Sequence, residues 1–413
     1  MGNNTIKHSQ KYILPTLVLT VIIDFMGVGI IYPLLPSLFM EDSSSLVSLG
    51  TSISVRYIYY SIAITLWPIG AFFGTPYLGE ISDKYGRKNI LFICLIVTGL
   101  SYVLSVVAIY MNSLMLFFLS RLLSGFFGGC YDIAQAATAD ISAPREKARN
   151  MGWITLGFSL GMILGPIIAG LTSSSATVKW FSITTPFWIA AILSIFNAVL
   201  VLIFLNETFK SSNHARVKIV KVFSSCMFIF KDKHVQRLAI IFLLLNMGWS
   251  FFVSSAPLIL NNYFNQNITS TGFFFCFLGF GSILAILFVQ KPLLKYFTLK
   301  NIYISMAFIS GLLLVLNFFY PTLYILWISA FIFALFEVLC YSSLLAMCSN
   351  TVSDDIQGKL MGGLGAVTSV AFVLSGIFLP ILSDIYIILP ILVAGAAYLV
   401  SVVLMFGHKP MNQ

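Results

Sequence analysis

The stretch Gly79-Glu80-Ile81-Ser82-Asp83-Lys84-Tyr85-Gly86-Arg87-Lys88 lies between two long apolar runs and is a dense knot of charge in the first two hundred residues. Asp83, three cations and two glycines within ten positions describe a tight, water-exposed connection between two membrane helices. Glycine permits close backbone approach, and a carboxylate at 83 is able to bond the orphan amides of a neighbouring helix start. A hairpin that only obeys topology rules would also carry charge, but this spacing is more particular than topology requires.

Working outward, the composition excludes a soluble globular protein. The 413 residues are 59% hydrophobic and 9% charged, with a mean hydropathy of +0.97, and a water-facing surface needs far more charge than that. A membrane-crossing helix takes about 20 apolar residues. The runs bounded by charged or Pro/Gly/Asn-rich breaks number twelve, at 12–40, 55–78, 89–111, 113–141, 150–172, 180–206, 236–262, 271–290, 298–319, 322–348, 358–383 and 386–407.

Lys and Arg recur on alternate connections: Lys7 and Lys11; Lys84, Arg87 and Lys88; Arg145, Lys147 and Arg149; Lys210 to Arg237; Lys291, Lys295 and Lys300; Lys359; Lys409. Only Arg56 and Lys179 fall on the other side, so the positive-inside rule predicts that both termini are cytoplasmic. The net charge of +9 then sits on the cytoplasmic face against anionic lipid, and nucleic acid is not expected as a partner. The six cysteines lie mostly inside apolar runs without metal-type spacing and read as small buried hydrophobes, and all four histidines are in cytoplasmic segments.

Three acids are placed deep within apolar runs. Asp24 lies about 18 Å from a helix start near Lys11, close to mid-bilayer. Asp132 follows Arg121 by eleven residues, about three helical turns, which puts both on one face. Glu337 lies near the middle of the tenth run, with Asn246, Trp249 and Tyr341 as candidate cavity neighbours. A carboxylate in hydrocarbon is expensive unless it faces a polar cavity or takes a proton, so each is a functional candidate before it is a packing group. Packing hydrogen bonds or an ion-pair role for Asp132 remain the bland alternatives.

Four patterns carry a resemblance. The opening stretch resembles the G-x-[LI]-[AS]-D-[RK]-x-G-[RK]-[RK] loop of the major facilitator superfamily. Asp24, Gly27, Gly29, Pro33 and Pro36 form D-x-x-G-x-G-x-x-x-P-x-x-P, which resembles the first helix of its drug:proton antiporters, the branch of tetracycline exporters and vesicular monoamine transporters. Arg121-Leu122-Leu123-Ser124-Gly125 is similar to the superfamily's R-x-x-x-G motif. Gly152, Gly161, Gly165, Pro166, Ala169 and Gly170 fit the antiporter signature G-x8-G-x3-G-P-x2-G-G with one alanine substituted.

The resemblance implies an all-α membrane protein of twelve helices in two pseudo-symmetric six-helix bundles, 1–207 and 236–413, joined by a cytoplasmic linker at 208–235. It implies a gate latch of Gly79, Asp83, Gly86, Arg87, Lys88 and Asp140, and an arginine at 121 associated with proton coupling. A faint repeat, Arg149-Asn150-Met151-Gly152 against Lys359-Leu360-Met361-Gly362, agrees with two related halves. The linker segment Arg216 to Lys231 is either an interfacial helix or an ordinary connection.

The expected function is export of a small organic, cationic or amphipathic compound in exchange for protons, with Asp24, Arg121, Asp132 and Glu337 as coupling residues. A metabolite, siderophore or polyamine porter is the alternative, and a non-transport sensor would predict extramembrane domains that the sequence does not show. No cofactor fingerprint, metal-ligand cluster or nucleophile–base pair supports an enzyme. The expected partners are a small-molecule substrate, protons and membrane lipid; no cofactor beyond the proton gradient is expected. The expected state is a monomer in a bacterial inner membrane.

Overall fold

A computed structural model describes residues 2–41, 46–142, 146–175, 178–208, 233–352 and 357–407, without the side chains of 2–12, 147–148, 233–235 and 357–359. Regular structure among these residues is entirely helical, and twelve segments are long and apolar enough to cross a membrane. In hydrocarbon no water satisfies backbone N–H and C=O groups, so each apolar run closes its own hydrogen bonds as a helix.

The helices are α1 Gly2–Phe39, α2 Ile53–Tyr85, α3 Arg87–Tyr110, α4 Leu114–Phe127, α5 Cys130–Ile141, α6 Lys147–Thr172 and α7 Thr185–Phe204, followed by α8 Lys233–Leu258, α9 Ile268–Leu284 and α10 Gln290–Tyr296, then α11 Leu299–Phe319, α12 Leu323–Ser349, α13 Gln357–Ile385 and α14 Leu389–Phe406. Ile259–Tyr263 extends α8 as a π-helical turn, and Ala285–Val289 joins α9 to α10 in the same way. Capping explains several boundaries. Ser113 accepts the N–H of Leu116 to start α4, Thr298 that of Asn301 to start α11, and Thr322 that of Ile325 to start α12. Asn112 adopts the left-handed conformation before Ser113, which asparagine tolerates.

Three sequence expectations are corrected here. The charged stretch 79–88 is not a loop: α2 runs through it to Tyr85, and only Gly86 separates α2 from α3. Lys291 to Lys295 belong to helix α10 rather than to a connection. The fourth crossing is not one helix, because it breaks at Gly128-Gly129 between α4 and α5. Arg121 and Asp132 therefore stand on two different helices, and the expectation of one shared face fails. The segment 216–231, the four histidines' side chains and Cys226 lie outside the described side chains.

By packing, the chain forms two compact units. The first comprises Met1–Gly50, Ile69–Ile219 and Ile268–Cys276; the second comprises Thr51–Pro68, Val220–Asn267 and Phe277–Gln413. In the first unit, Leu17, Val21, Leu91, Leu95, Cys130 and Ala134 share one buried core. Polar clasps cross it: Ser194 Oγ donates to the Leu95 carbonyl at 2.8 Å, Ser105 and Ser120 share a 2.8 Å hydrogen bond, and Thr20 donates to Asn197 at 3.3 Å. Such clasps bind helices where apolar burial cannot discriminate protein from lipid. The start of α9 belongs to this unit because Thr269 donates to the Gly170 carbonyl at 2.7 Å.

In the second unit, the first part of α2 is fastened by Tyr60, whose hydroxyl donates to the Ser254 carbonyl at 2.7 Å, and by Ser54, which donates to Asp384 at 2.5 Å. Helices α11 and α14 meet at paired glycines: a Cβ on Gly395 would lie 2.9 Å from the Gly311 carbonyl oxygen.

Candidate functional site

At the α2–α3 junction, Gly86 has φ +99°, and a Cβ there would collide with the Glu207 carboxylate. That carboxylate accepts the N–H of Arg87 at 2.8 Å and of Lys88 at 3.3 Å, filling the role of helix cap that the sequence reading gave to Asp83. Asp83 instead pairs with Arg87, Oδ1 to Nη1 at 2.6 Å. The same guanidinium reaches Asp140 Oδ2 at 3.4 Å and donates from Nη1 to Ser82 Oγ at 2.6 Å. Arg87 is buried, so α2, α3 and α5 converge on one desolvated cation. Lys88 donates to the Leu202 carbonyl at 2.7 Å, a second tie to the end of α7. A Cβ on Gly79 would meet nothing within 4 Å, so close approach does not explain that glycine.

Further along the first unit, α1 and α6 come within backbone contact. A Cβ on Gly157 would lie 3.0 Å from the Val18 carbonyl oxygen, one on Gly161 would lie 2.5 Å from that of Ile22, and one on Gly165 would collide with that of Met26. Glycines four apart on α6 thus seat carbonyls four apart on α1, a small-residue seam. Gly29 completes the seam against Pro166 at 2.8 Å. Gly157 was not singled out in the sequence, although its place four residues before Gly161 was the available signal. Gly152 has nothing within 4 Å of its added Cβ, so it takes no part in the seam, while Gly170 abuts Thr269 at 3.1 Å.

This seam fixes the helix that carries Asp24. Asp24 is 6% exposed and Arg121 5% exposed, both inside the first unit. Asp132, by contrast, is exposed in the first turn of α5, where a carboxylate complements the helix dipole. It is close enough to act electrostatically on Asp24. The neighbours Phe25, Tyr131 and Phe158 form an aromatic trio, with ring centroids 4.4 to 5.9 Å apart. Tyr102 of α3 is buried, and both Asp24 and Arg121 act on it. Tyr32 feels Arg121 as well. Neither tyrosine was legible in the sequence, where each is one aromatic residue in an apolar run.

The second unit holds Glu337 in the middle of α12, partly buried. It acts electrostatically on Tyr398 and Cys340. Tyr398 packs against Phe333 at 5.3 Å, and Trp249 stacks on the same ring at 5.8 Å. Tyr341 meets Phe242 at 5.4 Å, and Asn246 donates to the Phe242 carbonyl at 2.8 Å on its own helix. The three cavity candidates are thus gathered on α8 and α12, with Asn246 engaged by backbone and Trp249 by packing.

The glycine seam, the buried Asp24 and twelve membrane-capable helices describe a multi-pass integral membrane protein. The chain belongs to the Major Facilitator Superfamily, whose pattern it matches over residues 17–295. It is similar to the class H tetracycline resistance protein of Pasteurella multocida, 28% identical over 400 residues, covering 90% of this chain and 88% of that protein. It is also similar to the class B tetracycline resistance protein of Escherichia coli, 28% identical over 259 residues, covering 62% of this chain and 60% of that protein. Multidrug resistance protein 2 of Bacillus subtilis (strain 168) is 27% identical over 202 residues, covering 49% of this chain and 46% of that protein. Two solved structures share the fold: nucleoside transporter NupG, with a TM-score of 0.73, 16% identity and coverage of 95% and 98% of the two chains, and the human organic anion transporter MFSD10, with 0.69, 16%, 96% and 99%.

Proposed function

We propose that this transporter exports a small organic compound, cationic or amphipathic, in exchange for protons by alternating access. The observation that carries the proposal is the burial of Asp24 in mid-helix, on a helix seated against the glycine seam of α6. An acid held in low dielectric is costly to leave ionised and uncompensated, so it holds either a proton or the positive charge of a substrate. Protonation from one side then displaces substrate, and deprotonation toward the other side resets the site. The resistance proteins named above support drug efflux as the setting.

Glu337 provides a second acid of the same kind, and Asp83, Arg87 and Asp140 act as a latch at the α2–α3 junction. The protein works as a monomer of two six-helix halves, 1–207 and 236–413, joined by 208–235. It draws on the proton gradient without a cofactor, and it sits in a bacterial inner membrane with both termini cytoplasmic.

The test is transport in proteoliposomes against a panel of cationic, anionic and neutral compounds, with and without an imposed pH gradient. Uptake of cationic compounds that appears only with the gradient supports the reading. Gradient-independent transport, or a panel in which only anionic or neutral compounds move, overturns it.

A further inference from the structure

We propose that the end of α9 and the short helix α10 form a binding site for one anionic phospholipid, its phosphate held by Lys291 and Lys295 and its acyl chains laid along the exposed face that carries Phe280 and Leu287. The site goes beyond the transport reading and does not depend on it.

Ile268–Tyr296 forms one membrane-capable segment of 29 residues. At about 1.5 Å per residue that is roughly 43 Å, against a hydrocarbon core of about 30 Å, so the polar end with its two lysines stands in the headgroup region. Only 33% of its apolar stretch is buried within the protein, the smallest share among the twelve segments. This helix therefore offers more of its surface to lipid than the others do.

Phe280 is 51% exposed and Leu287, seven residues on, is 59% exposed. Seven residues are close to two helical turns, so both side chains lie on one face. The π-helical turn Ala285–Val289 carries the chain from α9 into α10 without a break. Lys291 then follows Leu287 by four residues, Lys295 follows by four more, and both are exposed. From Phe280 to Lys291 the axis runs roughly 16 Å, about the depth of one leaflet's hydrocarbon. An acyl chain along this face thus ends where the ammonium groups begin.

Charge selects the headgroup. The sequence holds no Asp or Glu between Asp232 and Glu337, and among the described residues neither lysine forms an ion pair. The first unit treats a similar feature differently. Lys84 stands over the Tyr85 ring at 5.0 Å much as Lys295 stands over that of Tyr296 at 5.4 Å, but the neighbouring Arg87 has Asp83 and Asp140 as ion-pair partners. In the second unit, Arg237 and Lys300 are engaged by carbonyls at the end of α14, Leu404 at 3.0 Å and Phe406 at 3.4 Å. Like charges four apart on one helix repel, and an anion between Lys291 and Lys295 relieves that repulsion. Lysine stems extend along apolar surface with the charge at the headgroup level, where tyrosines such as Tyr296 also reside. Free phosphate would use the lysines alone, and the apolar face that leads to them fits a lipid.

Native mass spectrometry of the delipidated full-length protein in detergent tests this with phosphatidylglycerol and phosphatidylcholine of the same acyl chains. Phosphatidylglycerol should bind about tenfold more tightly, as two uncompensated cations at a membrane surface imply. Lys291→Gln with Lys295→Gln should abolish that preference, while Lys179→Gln, which removes an exposed cation elsewhere, should keep it. Leu287→Ser should weaken both lipids alike, and glycerol phosphate at equal concentration should displace neither. Thermal melting shows that each variant is folded; if the double variant does not fold, Lys295→Gln alone should lower the preference about threefold. Equal affinity for the two lipids, a preference that survives loss of the lysines, or displacement by glycerol phosphate overturns the proposal.

Discussion

The Glu207 carboxylate accepts the backbone N–H of Arg87 at 2.8 Å, so an acid just beyond the end of α7 caps the start of α3. Gly86 belongs to the same device. Its positive φ turns the chain within a single residue, and its missing side chain leaves the space that the carboxylate fills. The buried cation of the latch is thus held from three directions, through its backbone by Glu207 and through its side chain by Asp83 and Asp140.

Gly86→Ala should therefore destabilise the protein through left-handed strain and steric exclusion of Glu207, by about 1–2 kcal/mol or more. Glu207→Ala should cost about 1 kcal/mol through the lost cap. Thermal melting in detergent checks both, and the double variant should cost less than the sum because one contact is shared.

Replacing Asp83 by Asn removes the charge that faces Arg87 while keeping a similar shape. Asp83 is 45% exposed in its side chain, so the pair itself contributes at most about 1 kcal/mol and global stability should barely move. The expected change lies in access: a thiol probe should react faster with a cysteine placed at the α5 end of the junction. Unchanged access together with unchanged transport would reduce the stretch to a topological signal.

The glycine seam makes a contrast within one motif. Gly161→Leu should abolish the folded protein or cost more than about 3 kcal/mol, since its side chain would have to displace the α1 backbone. Gly152→Ala should leave melting within about 0.5 kcal/mol of wild type, because the added methyl meets nothing. Yield and melting of the two variants decide it.

The three acids should not be equivalent. Asp24→Asn and Glu337→Gln should each abolish gradient-driven export, while Asp132→Asn, at an exposed helix start, should retain a measurable part of it. Proteoliposome uptake at fixed internal and external pH ranks them. Full coupling in all three variants would remove carboxylate titration from the mechanism.

Much of this was decided by the order of residues alone. Hydrocarbon leaves a backbone no alternative to the helix, so twelve apolar runs already dictate twelve crossings, and the expense of a buried charge already singles out Asp24, Asp132 and Glu337 as candidates. The glycine–proline spacing of α6 likewise declared a close helix contact, because only small residues at four-residue intervals admit another backbone. Tertiary structure decided what is not periodic. That the charged 79–88 stretch is helical to Tyr85, that Glu207 rather than Asp83 caps α3, and that Gly27 makes room for Tyr102 all depend on groups distant in sequence meeting in space. The break at Gly128-Gly129 belongs with these, since two adjacent glycines in an apolar run are compatible with a continuous helix as well as a broken one. Packing chose between them, and in doing so it moved Asp132 from the face of Arg121 to the exposed start of a helix of its own.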